Sequence, residues 1–176
     1  MKTYKNTNCI KKKILTAVLF ACLVYVYFII FILSADNAEE SSDISIKVMD
    51  FFVDIYYKLK GESGENTVIV QNAVPLEKII RKAAHFTEYM AVGFLSFSIV
   101  ILWVKRLGIG MGIIALQLLL SGMLDEIHQY FVPGRYASFK DVLIDFAGGM
   151  AGIGVVLFLR WCKRIFVVSK KHKKET

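Results

Sequence analysis

Several kinds of machinery are missing from this chain. There is no nucleophile elbow, no P-loop and no dinucleotide fingerprint, so the usual signatures of α/β-hydrolases, P-loop NTPases and Rossmann enzymes are all lacking. Internal repeats and low-complexity tracts are lacking too. The cysteines number three, Cys9, Cys22 and Cys162. Cys22 lies within an apolar run and the other two beside basic flanks, which leaves no cysteine pair in an external segment to form a disulfide framework. They read as small buried or idle thiols.

What is abundant is apolar surface. Hydrophobic residues make up 56% of the 176 and aromatics 13%, and the mean hydropathy is +0.52, well above an ordinary soluble domain. Crossing a hydrocarbon core of ~30 Å takes about 20 apolar residues as helix. Four segments qualify or nearly so: residues 14–33, 83–103, 107–124 and 142–159. The first follows Lys11-Lys12-Lys13 in the manner of a signal peptide. Its apolar stretch nevertheless exceeds the usual signal core of about 7–15 residues and no convincing A-x-A site follows, so it is read as a retained anchor. The expected fold is a single all-α integral membrane domain over residues 1–176, a bundle of four transmembrane helices.

Charge predicts its orientation. Four spans place both termini on one side, together with the Lys105-Arg106 link. That side holds 14 of the 22 basic residues and, of the 15 acids, only Glu175. Because Lys and Arg near span ends mark the cytoplasm, both termini are expected there and residues 34–82 outside. The net charge of +7 then belongs beside anionic inner-leaflet lipids rather than on nucleic acid.

Within the external segment, Ile44, Val48, Phe52, Ile55 and Leu59 recur every three to four residues, with Asp50, Asp54 and Lys58 between them. This spacing predicts an amphipathic helix at the outer interface or over the bundle. A loop is expected at residues 61–66, Gly-Glu-Ser-Gly-Glu-Asn, and Pro75 suits the first turn of the helix leading into the second span. The glycines of the third and fourth spans, among them the Gly148-x-x-x-Gly152 pair, read as packing devices.

Polar residues converge at the external ends of three spans. The second span opens "RKAAHFTEY", with His85 and Glu88 three apart on one face. A carboxylate at the depth of Glu88 costs on the order of 2.5–3.5 kcal/mol on insertion scales, so His85 or Arg81 is expected to partner it. If the third helix continues past its apolar run, Asp125 and His128 repeat the same spacing, next to Glu126 and Gln129. Pro133-Gly134 predicts a turn delivering Arg135. Ser138 is a plausible N-cap for the last helix, whose first turns carry Asp141 and Asp145. The ten residues Arg81, His85, Glu88, Asp125, Glu126, His128, Gln129, Arg135, Asp141 and Asp145 are thereby candidates for one site at one membrane depth.

Three readings of this cluster remain open. It serves as an ion-pair network locking the helices in register, as an anion site built on Arg81 and Arg135, or as a divalent-metal site with His85, Glu88, Asp125 and His128 as candidate ligands. For proton transfer the candidates are Glu88, Glu126 and His128, with His85 also suited to the role.

"RKAAHFTEYMAVGFL", "DEIHQYFVPGR" and "DVLIDFAGGMAG" together resemble the VanZ-like family, named for an accessory protein of glycopeptide resistance associated with teicoplanin. The likeness covers about residues 81–152. The family pattern carries over to the positions of Arg81, Lys82, His85, Phe86, Glu88, Tyr89, Asp125, Glu126, His128, Gln129, Pro133, Gly134, Arg135, Asp141 and Gly148. It departs at Asp145, where the family commonly has Asn. The resemblance implies a multi-pass cell-membrane protein of the envelope that lowers glycopeptide susceptibility.

Three function classes follow as expectations. The first is an envelope factor whose outer-face polar site binds or alters an envelope lipid or wall precursor, or contacts the glycopeptide itself. The second is a membrane-embedded hydrolase or transferase acting on a lipid-linked phosphate or glycan, with or without a divalent metal. The third is a structural subunit of an envelope complex.

Overall fold

The computed structural model describes residues 2–36, 38–60 and 73–175. Five helices follow one another: α1 (Lys2–Ala35), α2 (Ala38–Lys60), α3 (Ala73–Trp103), α4 (Leu107–Tyr130) and α5 (Phe139–Glu175). Among the described residues there is no strand. Four helices contain stretches long and apolar enough to span a membrane: Cys9–Ala35, Lys78–Trp103, Leu107–Tyr130 and Phe139–Phe166. Each outruns its predicted apolar run, because backbone hydrogen bonding carries a helix on past the residues that face lipid. The expected loop at residues 61–66 lies outside the described residues.

Helix α3 is the hub, touching α1, α2, α4 and α5. Its closest neighbour is α5, and glycine makes the closeness possible. A Cβ on Gly148 would run into the Phe86 carbonyl, one on Gly152 into the Met90 carbonyl, and one on Gly93 into the Gly149 carbonyl. The Gly148-x-x-x-Gly152 pair is therefore used inside the chain, backbone against backbone. Gly108 and Gly112 correct the expectation of a packing role, since a Cβ on either would meet nothing within 4 Å. Below this seam Val92, Phe97, Ile114, Leu118 and Ile153 form the apolar centre, each at most 2% exposed.

Helix α1 is attached by side chains. Tyr27 Oη and Ser121 Oγ share a hydrogen bond of 2.8 Å, Gln117 Nε2 donates to Tyr27 Oη and to Ser96 Oγ at 3.0 Å each, and Trp103 Nε1 donates to Thr16 Oγ1 at 3.0 Å. Helix α2 exists as expected, and the described part of its apolar stripe does not face the bundle. Among its described side chains Ser45 and Met49 are buried, one turn apart, while Ile44, Val48, Ile55 and Leu59 stay exposed. The side chain of Phe52 lies outside the described residues.

Candidate polar site at the helix ends

The site begins with local geometry at the end of α4. That helix continues to Tyr130, so Asp125, Glu126 and Gln129 sit on regular helix and point into the bundle. At the turn, Arg135 N donates to Val132 O at 3.2 Å and Gly134 adopts φ 78°, as Pro-Gly at the centre of a type II turn requires. Ser138 immediately precedes α5, and its carbonyl accepts from Asp141 N at 2.9 Å. Its hydroxyl makes no hydrogen bond among the described residues. Instead the Ser138 backbone N–H donates to Glu126 Oε2 at 2.6 Å, so a carboxylate from α4 secures the start of α5.

Two cavities flank this region. The first, about 170 Å³, is polar and takes Arg81, Lys82 and His85 from α3, Glu126 and Gln129 from α4, Gly134, Arg135 and Tyr136 from the turn, and Asp141 and Ile144 from α5. The second, about 490 Å³, is largely apolar and is lined by Tyr27, Ile30 and Phe31 of α1, Tyr89 of α3, and Ser121, Leu124, Asp125 and His128 of α4. Between them stands Asp125, which accepts from Ser34 Oγ at 2.5 Å and from Gln129 Nε2 at 3.0 Å. Gln129 Nε2 also reaches Ser34 Oγ at 3.2 Å.

The predicted residues divide accordingly. Arg81, His85, Glu126, Gln129, Arg135 and Asp141 line the polar cavity, and Asp125 and Asp145 stand behind it, 3.8 and 3.6 Å from His85 Nδ1. The expected pairs within each helix do not form. His85 lies between carboxylates of α4 and α5, while Glu88 makes no hydrogen bond or ion pair among the described residues. His128 turns away from Asp125 and stacks on Phe31, ring centroids 4.7 Å apart, with its Nε2 buried and unpartnered. Residues three apart on a helix point about 60° away from each other, so in a packed bundle a neighbouring helix is the nearer partner. A common metal site for His85, Glu88, Asp125 and His128 is thus not assembled.

Electrostatically the cavity is uneven. Lys82 Nζ is neutralised by Asp141 Oδ1 at 2.6 Å. Neither Arg81 nor Arg135 makes an ion pair among the described residues; Arg135 Nη2 donates only to the Leu33 carbonyl at 3.2 Å, and its Nε is buried without a partner. Burial first, and then the positive charge of Arg81, lower the pKa of Arg135 below its ordinary value, although a guanidinium stays charged at any physiological pH. Such an arrangement can hold an anion through several N–H donors.

Sequence reasoning missed Ser34, 1% exposed at the end of α1, and Tyr136, and did not place Lys82 in the site. It also missed the polar row Gln117, Ser121, Asp125 and Gln129 along α4. The signal for that row was present as polar residues at strict four-residue intervals in an otherwise apolar helix. Ser34 offered little beyond being the first polar residue after an apolar run.

Neither a curated protein nor a solved structure matches the chain. A family model described as VanZ/LLP1 does, over residues 17–160, which takes in the second and third spanning helices, most of the first and last, and the whole polar site. The chain belongs to the VanZ/LLP1 family.

Proposed function

We propose that this VanZ-family membrane protein binds an anionic, lipid-linked envelope component in the polar cavity at the outer face, and thereby lowers susceptibility to glycopeptides of the teicoplanin type. The observation that carries the reading is the pair Arg81 and Arg135, two guanidinium groups lining one cavity, neither of them in an ion pair among the described residues. Guanidinium groups placed in this way favour phosphate or carboxylate oxygens as bidentate ligands. The outer placement is supported by the concentration of Lys and Arg at the opposite helix ends.

The test uses the full chain in membranes. Arg81→Gln and Arg135→Gln, singly and together, are expected to weaken retention of an anionic polyprenyl phosphate in native mass spectrometry by about tenfold or more, since hydrogen bonds to charged groups contribute roughly 1.5–3 kcal/mol each. Teicoplanin susceptibility should rise in parallel. A double variant present at normal levels with unaltered lipid retention and unaltered susceptibility would sink the proposal.

A second reading is a membrane hydrolase or transferase, favoured by His85 and Glu126 lining the same cavity as the two arginines. Glu126→Gln separates the two readings. Lipid binding kept with turnover lost selects the enzyme, whereas absence of any turnover in the parent protein selects binding alone.

A further inference from the structure

Deep to the polar cavity, three side chains from three helices meet with little to hold them there. His85 Nδ1 of α3 lies 3.6 Å from Asp145 Oδ1 of α5 and 3.8 Å from Asp125 Oδ2 of α4. Both distances are beyond hydrogen-bond reach. Asp145 is 0% exposed, and neither of its carboxylate oxygens has a hydrogen-bond partner; His85 Nδ1 has none either. A fully buried carboxylate thus lies against an unpartnered imidazole nitrogen, with a second carboxylate alongside, and burial of such groups without partners is costly.

The geometry points to a divalent first-row transition cation, such as Zn²⁺ or Mn²⁺, held by His85, Asp125 and Asp145. Nitrogen and carboxylate ligands bind such ions at about 2.0–2.2 Å, which separates neighbouring ligand atoms by roughly 3–3.6 Å. The three ligand atoms here lie within 4.8 Å of one another, so only a small contraction is needed. A neutral imidazole and two carboxylates balance the charge of a divalent ion. Asp125 already carries the kind of outer support that metal ligands show, with Ser34 Oγ and Gln129 Nε2 donating to its two oxygens. Lys82 and Asp141 neutralise each other nearby, and Glu126 is engaged by Ser138 N, so neither carboxylate nor ammonium competes for the centre. The inference is independent of the anionic ligand, because neither Arg81 nor Arg135 belongs to the set.

The experiment loads the purified full-length protein in nanodiscs with Co²⁺, Zn²⁺ or Mn²⁺ and measures metal per chain after desalting, with the visible spectrum of the Co²⁺ form as a second readout. About one ion per chain is expected. Asp145→Asn, which preserves volume, and His85→Gln should weaken binding by at least about tenfold, and Ser34→Ala by about 10–100-fold as an outer-support loss. Arg81→Gln and Glu126→Gln should leave stoichiometry intact, which separates failure here from failure of the lipid reading. Helical circular dichroism and a single size-exclusion peak confirm folding of each variant. Wild-type protein that is folded but holds no more metal than Asp145→Asn, with no Co²⁺ band, overturns the inference.

Discussion

Tyr27 shows what single polar contacts accomplish in this bundle. Its hydroxyl meets both Ser121 Oγ and Gln117 Nε2, joining α1 to α4 at partly buried positions. Hydrogen bonds between membrane helices average about 0.6 kcal/mol and reach about 1.7, so Tyr27→Phe should destabilise the protein by roughly that range without altering the polar cavity. Unfolding measured in detergent or bilayer checks this, and a loss above about 3 kcal/mol would mean that the network acts as more than its pairwise bonds. At the neighbouring position, Gln129→Leu removes one of the two donors to Asp125 and so leaves a buried carboxylate oxygen bare. An unsatisfied charged group costs more than the lost bond itself, and Ser34→Ala bares the other Asp125 oxygen in the same way, so both variants should be destabilising by a similar amount, about 1–3 kcal/mol each. Unfolding free energies check this, and a variant of unchanged stability would contradict it.

Among the elements, α3 and α5 are joined by main chain and the others by side chains. Gly148→Leu places bulk against the Phe86 carbonyl, where no rotamer change can relieve it. Overpacking of this kind costs typically 1–3 kcal/mol, and a Gly112→Leu control, facing open space, should cost little; thermal inactivation of the two variants gives the contrast. Helix α2 presents a different case. The 3.6-residue period in its sequence established that it is a helix but not which side is covered: among its described side chains Ser45 and Met49 are buried, while Ile44, Val48, Ile55 and Leu59 stay outward. An environment-sensitive probe on cysteine at Val48 or Ile55 should emit blue-shifted light quenched by brominated lipid, and one at Asp54 should not. Equal quenching at all three positions would mean that this helix does not lie along an interface.

For the whole molecule, the number and order of spans were legible in hydropathy, since a bilayer leaves a chain of this composition few alternatives to helices. That most of the polar candidates gather at one end of the bundle was legible too, because isolated charges in apolar runs are costly. Pairing was not: the sequence suggested His85 with Glu88 and Asp125 with His128, while helix rotation joins His85 to Asp125 and Asp145 and sends His128 to Phe31. Orientation is testable in a background without Cys9, Cys22 and Cys162. Cysteine at Tyr136, 88% exposed, should react with an impermeant reagent from outside, and cysteine at Lys105 should not. The reverse pattern would place the polar cavity in the cytoplasm and remove any direct role at the outer leaflet.

The glycine seam also divides the bundle mechanically. Where Gly93 and Gly149, Gly148 and Phe86, and Gly152 and Met90 rest backbone on backbone, no side chain stands between α3 and α5, and the two helices form one closely packed plate. Helix α1 is tied to α4 by Tyr27–Ser121 and Ser34–Asp125 and to α3 by Trp103–Thr16, and its Leu23 and Ile30 join the apolar core. It also forms one wall of the apolar cavity and, through the Leu33 carbonyl, braces Arg135. A hydrophobic chain seated in that cavity would lie between α1 and α4, beside the helix end that braces Arg135, so that one helix serves both an apolar and a cationic neighbour.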